Sequence, residues 1–211
     1  GGALGSSLTL NAGATLNVAN GATINSGSSL TVGGGTFSTG SISNSGNLII
    51  NSGALTINNG YSSNASGLMV IGQNAIATAN GGSQNSGELQ LGGAAATLAG
   101  TGTLINNALI RGDGIISKPL ANTAGAEIRA ETGKRIKLTG TNGTNTGKIN
   151  LQGGTAEFSQ ALTNGGVQAR ITGLNINAVT FMNALLSGNP DQVSALWFAG
   201  NDTLIGSPGS D

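Results

Sequence analysis

Asn145-Thr146-Gly147-Lys148-Ile149-Asn150-Leu151-Gln152-Gly153-Gly154 holds the plan of the chain in ten residues. An Asn and a small-residue turn lead into a strand in which Ile149 and Leu151 alternate with polar side chains. Period two places successive side chains on opposite faces of an extended backbone. The opening of the phrase recurs as Asn25-Ser26-Gly27, Asn44-Ser45-Gly46, Asn64-Ala65-Ser66-Gly67, Asn85-Ser86-Gly87, Asn106-Asn107-Ala108, Asn122-Thr123-Ala124-Gly125 and Asn164-Gly165-Gly166. Successive copies lie 19, 20, 21, 21, 16, 23 and 19 residues apart, a mean close to 20. An earlier copy lacks the Asn: Gly5-Ser6-Ser7-Leu8-Thr9-Leu10 echoes Gly27-Ser28-Ser29-Leu30-Thr31-Val32.

A regular interval of this size marks a repeat architecture. About twenty residues make one turn of a β-solenoid with short strands and tight corners. Glycine supplies positive φ at such corners, and Asn tolerates the same geometry. Coils stacked about 4.8 Å apart bring equivalent Asn side chains into hydrogen-bonding reach, as a ladder. Each coil buries Leu and Ile against the next, so no coil has a core of its own. The expected fold is all-β: a parallel β-solenoid (β-helix) of about 20-residue coils over residues 1–173. Eight or nine coils make a rod of about 40 Å.

Composition agrees and excludes much chemistry. Glycine makes up 38 of 211 residues, more than twice its ordinary share of roughly 7%. Charged residues are 8% of the chain, against roughly 25% in an ordinary domain. Order, not amount, argues against disorder: Leu8-Thr9-Leu10, Leu16-Asn17-Val18, Leu30-Thr31-Val32 and Leu55-Thr56-Ile57 all alternate. Cys and His are both absent, which removes disulfides, thiolate chemistry, Ser-His-Asp triads and His or Cys metal sites. The net charge of +0 offers no electrostatic funnel for nucleic acid. No apolar run approaches the roughly 20 residues of a membrane helix, so no membrane span is expected. There is no initiator Met or signal peptide, and Gly1 opens in mid-pattern, which reads as a piece of a longer protein.

The first charged residue is Glu88. Acid–base catalysis needs titratable side chains, and residues 1–87 offer almost none. Charges concentrate between 111 and 157. Aligning coils on the strand after each phrase gives one outward column: Thr9, Thr31, Ile49, Met69, Gln90, Arg111, Arg129 and Asn150. Arg111 and Arg129 then face outward on adjacent coils, with Asp113, Glu127 and Glu131 nearby. This is the best catalytic constellation available, of the kind a polysaccharide lyase or hydrolase on a β-helix would use. A solvated face with cross-coil ion pairs is the commoner meaning of such a pattern. The column is too irregular for the flat Thr array that ice binding needs. The chain is therefore read as non-enzymatic.

The repeat resembles the degenerate β-helix repeats of large bacterial surface proteins, such as autotransporter passengers and filamentous-haemagglutinin-like adhesins. Besides residues 145–154, Gly100-Thr101-Gly102-Thr103-Leu104-Ile105-Asn106 carries the likeness, which covers about residues 5–173. It implies a structural or adhesive role toward surface glycans or other cells. A polysaccharide-active enzyme and an ice- or glycan-binding solenoid are the alternatives.

The period breaks after Gly173. Phe181 with Leu185, and Met182 with Leu186, fall at helical spacing. Asn189-Pro190-Asp191-Gln192 reads as a helix start, followed by an apolar face of Val193, Leu196 and Trp197. Residues 174–199 are thus expected to form a short helical C-terminal cap and connector that shields the last coil.

Residues 200–211 read Gly-Asn-Asp-Thr-Leu-Ile-Gly-Ser-Pro-Gly-Ser-Asp. Gly200 and Gly209 are nine apart, as are Asp202 and Asp211, with Leu204 as the inward apolar residue. This resembles the calcium-binding nonapeptide of the repeats-in-toxin (hemolysin-type) family. Trp197 and Phe198 stand where that family has paired glycines, so the roll would begin at Gly200. The resemblance implies Ca²⁺ bound by the loops of Gly200, Asp202, Gly209 and Asp211, whose oxygens are hard ligands. The facing loop of each such site lies a whole turn further on, so the site is incomplete within residues 200–211. It also implies an extracellular or cell-surface location reached by signal-peptide-independent secretion.

Overall fold

The column of residues in register with Ser7 traces the fold. Ser7 pairs in parallel with Ser29, Ser29 with Asn47, and the column continues through Leu68, Glu88, Leu109, Glu127 and Lys148 to Arg170. Each step is 18 to 22 residues, 21 being the commonest, and seven steps separate Ser7 from Lys148. The computed structural model describes residues 1–160 and the strand segments Leu162–Asn164, Arg170–Thr172 and Thr203–Ile205. Within them the chain is an all-β parallel solenoid, as the repeat predicted.

Each turn contributes three strands to three parallel stacks. The first stack includes Ser7–Asn11, Leu68–Gly72, Glu127–Glu131 and Lys148–Gln152. The second includes Thr15–Val18, Ile76–Ala79, Arg135–Leu138 and Thr155–Phe158. The third includes Gly2–Leu4, Ala22–Ile24, Ser83–Asn85, Leu104–Asn106, Leu120–Asn122 and Gly143–Asn145. Ser29–Asn44 and Asn47–Ser63 run round the corners through all three stacks, and Glu88–Ala99 and Leu109–Ile116 through the first two. Arg170–Thr172 stacks on 148–150, and Thr203–Ile205 stacks in parallel on Arg170–Thr172, with Leu204 in register with Ile171.

Alternation decides what is inside. Leu30, Leu48, Met69, Leu89, Ile110, Ile128 and Ile149 form one buried inward column of the first stack. Phe37, Leu55, Ala77, Leu98, Ile116 and Leu138 form its counterpart in the second. Full burial of one such large side chain is worth about 1.5–3 kcal/mol. Stacking is therefore the main source of stability, because every coil completes its neighbours' core.

The expected Asn ladder exists, with a corrected membership. The inward column of the third stack is Ile24, Asn44, Ser63, Asn85, Asn106, Asn122 and Asn145. Asn25 and Asn64 lie one residue past it and are exposed. Asn85 Nδ2 donates to Asn106 Oδ1 at 2.8 Å, Asn106 Nδ2 to Asn122 Oδ1 at 2.8 Å, and Asn122 Nδ2 to Asn145 Oδ1 at 2.7 Å. The same three amides also donate to the carbonyls of Leu109, Glu127 and Lys148. Buried polar groups are tolerable only when satisfied, and these run as a chain of satisfied amides.

The outward column also needs one correction. Met69 is buried, and Val70 takes the outward place between Ile49 and Gln90. The expected helical cap at 174–199 lies outside the described residues. No helix among the described residues is long and apolar enough to cross a membrane.

Candidate functional site

The charged constellation is built on the outer faces of the first two stacks. Leu109–Ile116 and Glu127–Glu131 pair so that Arg111 and Arg129 are direct neighbours, as the coil alignment predicted. Arg111 Nε donates to Glu88 Oε1 at 2.6 Å, one coil back, and its Nη1 lies 3.9 Å from Glu131 Oε1. Arg129 Nε donates to Glu127 Oε1 at 2.8 Å, and Asn150 Nδ2 donates to the same oxygen at 2.8 Å. Asp113 does not join them: its Oδ1 accepts the backbone N–H of Arg135 at 3.3 Å. On the second stack, Lys137 Nζ lies 2.6 Å from Glu157 Oε1, and Arg135 Nη1 lies 3.4 Å from Glu157 Oε2.

The electrostatics favour charge retention. The Arg129 guanidinium holds the Glu127 carboxyl below the usual carboxylate range, against the opposing effect of partial burial. Glu127 in turn holds Arg129 above its ordinary value. The hydrogen bond from Lys137 lowers Glu157 likewise. A general acid near neutral pH needs the opposite displacement, a carboxyl pushed upward by burial or by a like charge. As a surface ion pair, Arg111–Glu88 or Arg129–Glu127 contributes about 0–1 kcal/mol. The sequence singled out Arg111, Arg129, Glu127 and Glu131, but not Glu88, Asn150, Lys137 or Glu157, which complete the network. Cross-coil register was the signal that would have found them.

A different group was missed altogether. Lys118 is the only charged side chain buried among the described residues, at 1% exposure. Its Nζ donates to the carbonyls of Ala79 (2.6 Å) and Gly81 (3.1 Å) and to Ser83 Oγ (2.9 Å). Burial lowers its amine from the ordinary 10.5 to about 8. The signal lay in the sequence: Ile116, Lys118 and Leu120 continue an unbroken alternation of inward residues.

Among the described residues no group of three or more Asp or Glu could hold a metal ion. The nonapeptide residues Gly200, Asp202, Gly209 and Asp211 lie outside the described residues. The outward column, corrected to Thr9, Thr31, Ile49, Val70, Gln90, Arg111, Arg129 and Asn150, carries only two Thr, side by side at one end. No protein-family model matches the chain, and no curated protein or solved structure matches it significantly.

Proposed function

We propose that this chain is a non-catalytic, structural and adhesive segment of a secreted or surface bacterial protein whose Gly/Asp nonapeptides bind calcium. The observation that carries the non-catalytic reading is the mutual commitment of the outer-face charges. Glu88, Glu127 and Glu157 each accept from an Arg or Lys, and the two carboxyls whose acidity shifts most clearly shift toward permanent charge. The adhesive reading is supported by the neutral half of the rod. Thr23, Ser43, Ser62 and Gln84 repeat outward on consecutive coils of the third stack, a row of uncharged hydrogen-bonding groups suited to surface glycans or other cells. The nonapeptide pattern supports calcium binding and an extracellular or cell-surface location, reached without a signal peptide.

The adjacency of Arg111 and Arg129 favours one competing reading, a polysaccharide lyase or hydrolase. Incubation with a panel of acidic and neutral polysaccharides separates the two. The rod reading expects retention of some glycans on the protein with no new reducing ends and no unsaturated products. Turnover that disappears in Arg111→Ala or Glu131→Ala overturns it.

A further inference from the structure

The three oxygens around Lys118 Nζ belong to a coil two turns earlier. Bonds of the Asn ladder reach 16 to 26 residues along the chain, whereas those of Lys118 reach 35 to 39. The route is open because the inward column loses its side chains there. Gly100 lies two residues beyond Leu98, and Lys118 two residues beyond Leu98's partner Ile116. A Cβ at Gly100 would collide with the Ala79 carbonyl, and one at Gly140 with that of Lys118, so Ala79, Gly100, Lys118 and Gly140 stack in one column. The lysine stem occupies the room that Ala79 and Gly100 leave.

We propose that the corner formed by Ala79 O, Gly81 O and Ser83 Oγ is a monovalent-cation site of the alkylammonium class, filled in cis by Lys118, and that the filled site clamps three successive coils. An ammonium has three N–H donors and no acceptor, and the corner offers it three oxygens. Segments 79–83, 100–104, 117–120 and 140–143 contain no titratable side chain except Lys118. The charge, which the amine still carries at pH 7, is therefore held by neutral dipoles alone, through charge-assisted hydrogen bonds that offset part of its desolvation. Neutral oxygens without a carboxylate suit a single positive charge, whereas Ca²⁺ sites bring carboxylates. An apolar side chain of the same length would fill the column but leave Ala79 O and Ser83 Oγ without the lysine's donors, while Gly81 O keeps only the bond from Ser83 Oγ.

Thermal and urea unfolding at pH 7 of the wild type, Lys118→Met and Lys118→Ala tests this. The site predicts that Lys118→Met lowers the folded-to-unfolded ratio by about tenfold or more, because acceptors are stranded although the stem volume is kept. A Lys118→Met protein as stable as the wild type, or more stable, overturns the proposal and makes Lys118 an apolar filler. In Lys118→Ala, n-butylammonium chloride should raise the melting temperature saturably, with no such rise in the wild type. An equal rise with 1-butanol overturns a cation site. Should neither variant fold, ¹⁵N spectra of the wild type decide. The Lys118 ¹⁵Nζ resonance should show a slowly exchanging ammonium at pH 7, and a bulk-like, fast-exchanging signal overturns the proposal.

Discussion

Asn106 Nδ2 donates to Asn122 Oδ1 across a distance of 2.8 Å, although only 16 residues separate them. The same amide bonds the carbonyl of Glu127 in the first stack, and Asn106 Oδ1 accepts from Asn85, so one side chain ties three consecutive coils of the third stack. Asn106→Leu would leave one Nδ2 hydrogen of Asn85 without its acceptor, the other still reaching Leu109 O, and Asn122 Oδ1 without its donor. Each stranded buried group costs about 1–3 kcal/mol, so the variant should lose about 2–6 kcal/mol in urea unfolding. Asn25→Ala, at an exposed copy of the same phrase, should change stability by less than about 0.5 kcal/mol. Equal losses at the two positions would show that the Asn residues matter for their turns and not for the ladder.

Gly100 tests how closely the coils approach. Its φ is +127°, and an added Cβ would run into the Ala79 carbonyl. Gly13 also has positive φ, at +80°, but an added Cβ there meets nothing within 4 Å. Gly13→Ala should therefore cost about 1 kcal/mol, from backbone strain alone. Gly100→Ala should cost at least twice that, since backbone must move as well. Melting temperatures of the two variants measured side by side decide the order, and a Gly13 variant as damaged as the Gly100 variant would refute the stacking argument.

The solenoid was legible because alternation and a near-constant turn length are both local sequence properties. Turn membership was less legible, because corners absorb an extra residue without disturbing strand register. Asn64-Ala65-Ser66-Gly67 is such a case: counting from the Asn put Met69 outside, while pairing with Leu48 and Leu89 puts it in the core. Ser63 takes the ladder position instead and donates to Asn85 Oδ1 at 3.3 Å. Lys118 was overlooked for another reason. Its parity pointed inward, but a lysine is ordinarily placed outside on solvation grounds. Only stacking reveals the space left by Ala79 and Gly100 two turns and one turn earlier. The charged row was half legible: residue types and adjacency of Arg111 and Arg129 followed from alignment, while the choice of Glu88 as partner required the coil register.

Stability should depend on alkaline pH through Lys118. The folded-state amine titrates at about 8 and the unfolded one at its ordinary 10.5. Between these values the unfolded chain binds more protons than the native one, so stability rises with pH across that window. Below pH 8 both states are charged and this dependence vanishes; above 10.5 both are neutral. The full rise is bounded at about 3–4 kcal/mol, from 1.36 kcal/mol per pKa unit. Urea unfolding between pH 7 and 10.5 should show the upward slope in the wild type and lack this component in Lys118→Met. A slope of opposite sign that vanishes in the variant would mean that the three oxygens hold the proton above the unfolded value.

Calcium is the functional test of the carboxyl-terminal pattern. Asp202 and Asp211 stand nine residues apart, the interval of the nonapeptide, and Gly200 and Gly209 repeat it. Closely spaced carboxylates repel one another without metal, so in a Gly/Asp roll the binding free energy becomes folding free energy. The preceding solenoid has no such need, because it buries Leu, Ile and Met in place of ligands. Under the proposed function the logic is compartmental: a Gly/Asp roll would stay unfolded where calcium is scarce and order outside the cell. Residues 1–211 alone should therefore show calcium affinity no tighter than about millimolar in isothermal titration, the regime of weak extracellular sites. A chain extended by several further nonapeptides should bind more tightly and gain β-structure by circular dichroism. In that extended chain Asp202→Ala with Asp211→Ala should remove the first site and leave the solenoid's melting transition in place. Unchanged stoichiometry in the double variant, or an extended chain indifferent to calcium, would reduce these residues to ordinary turn formers.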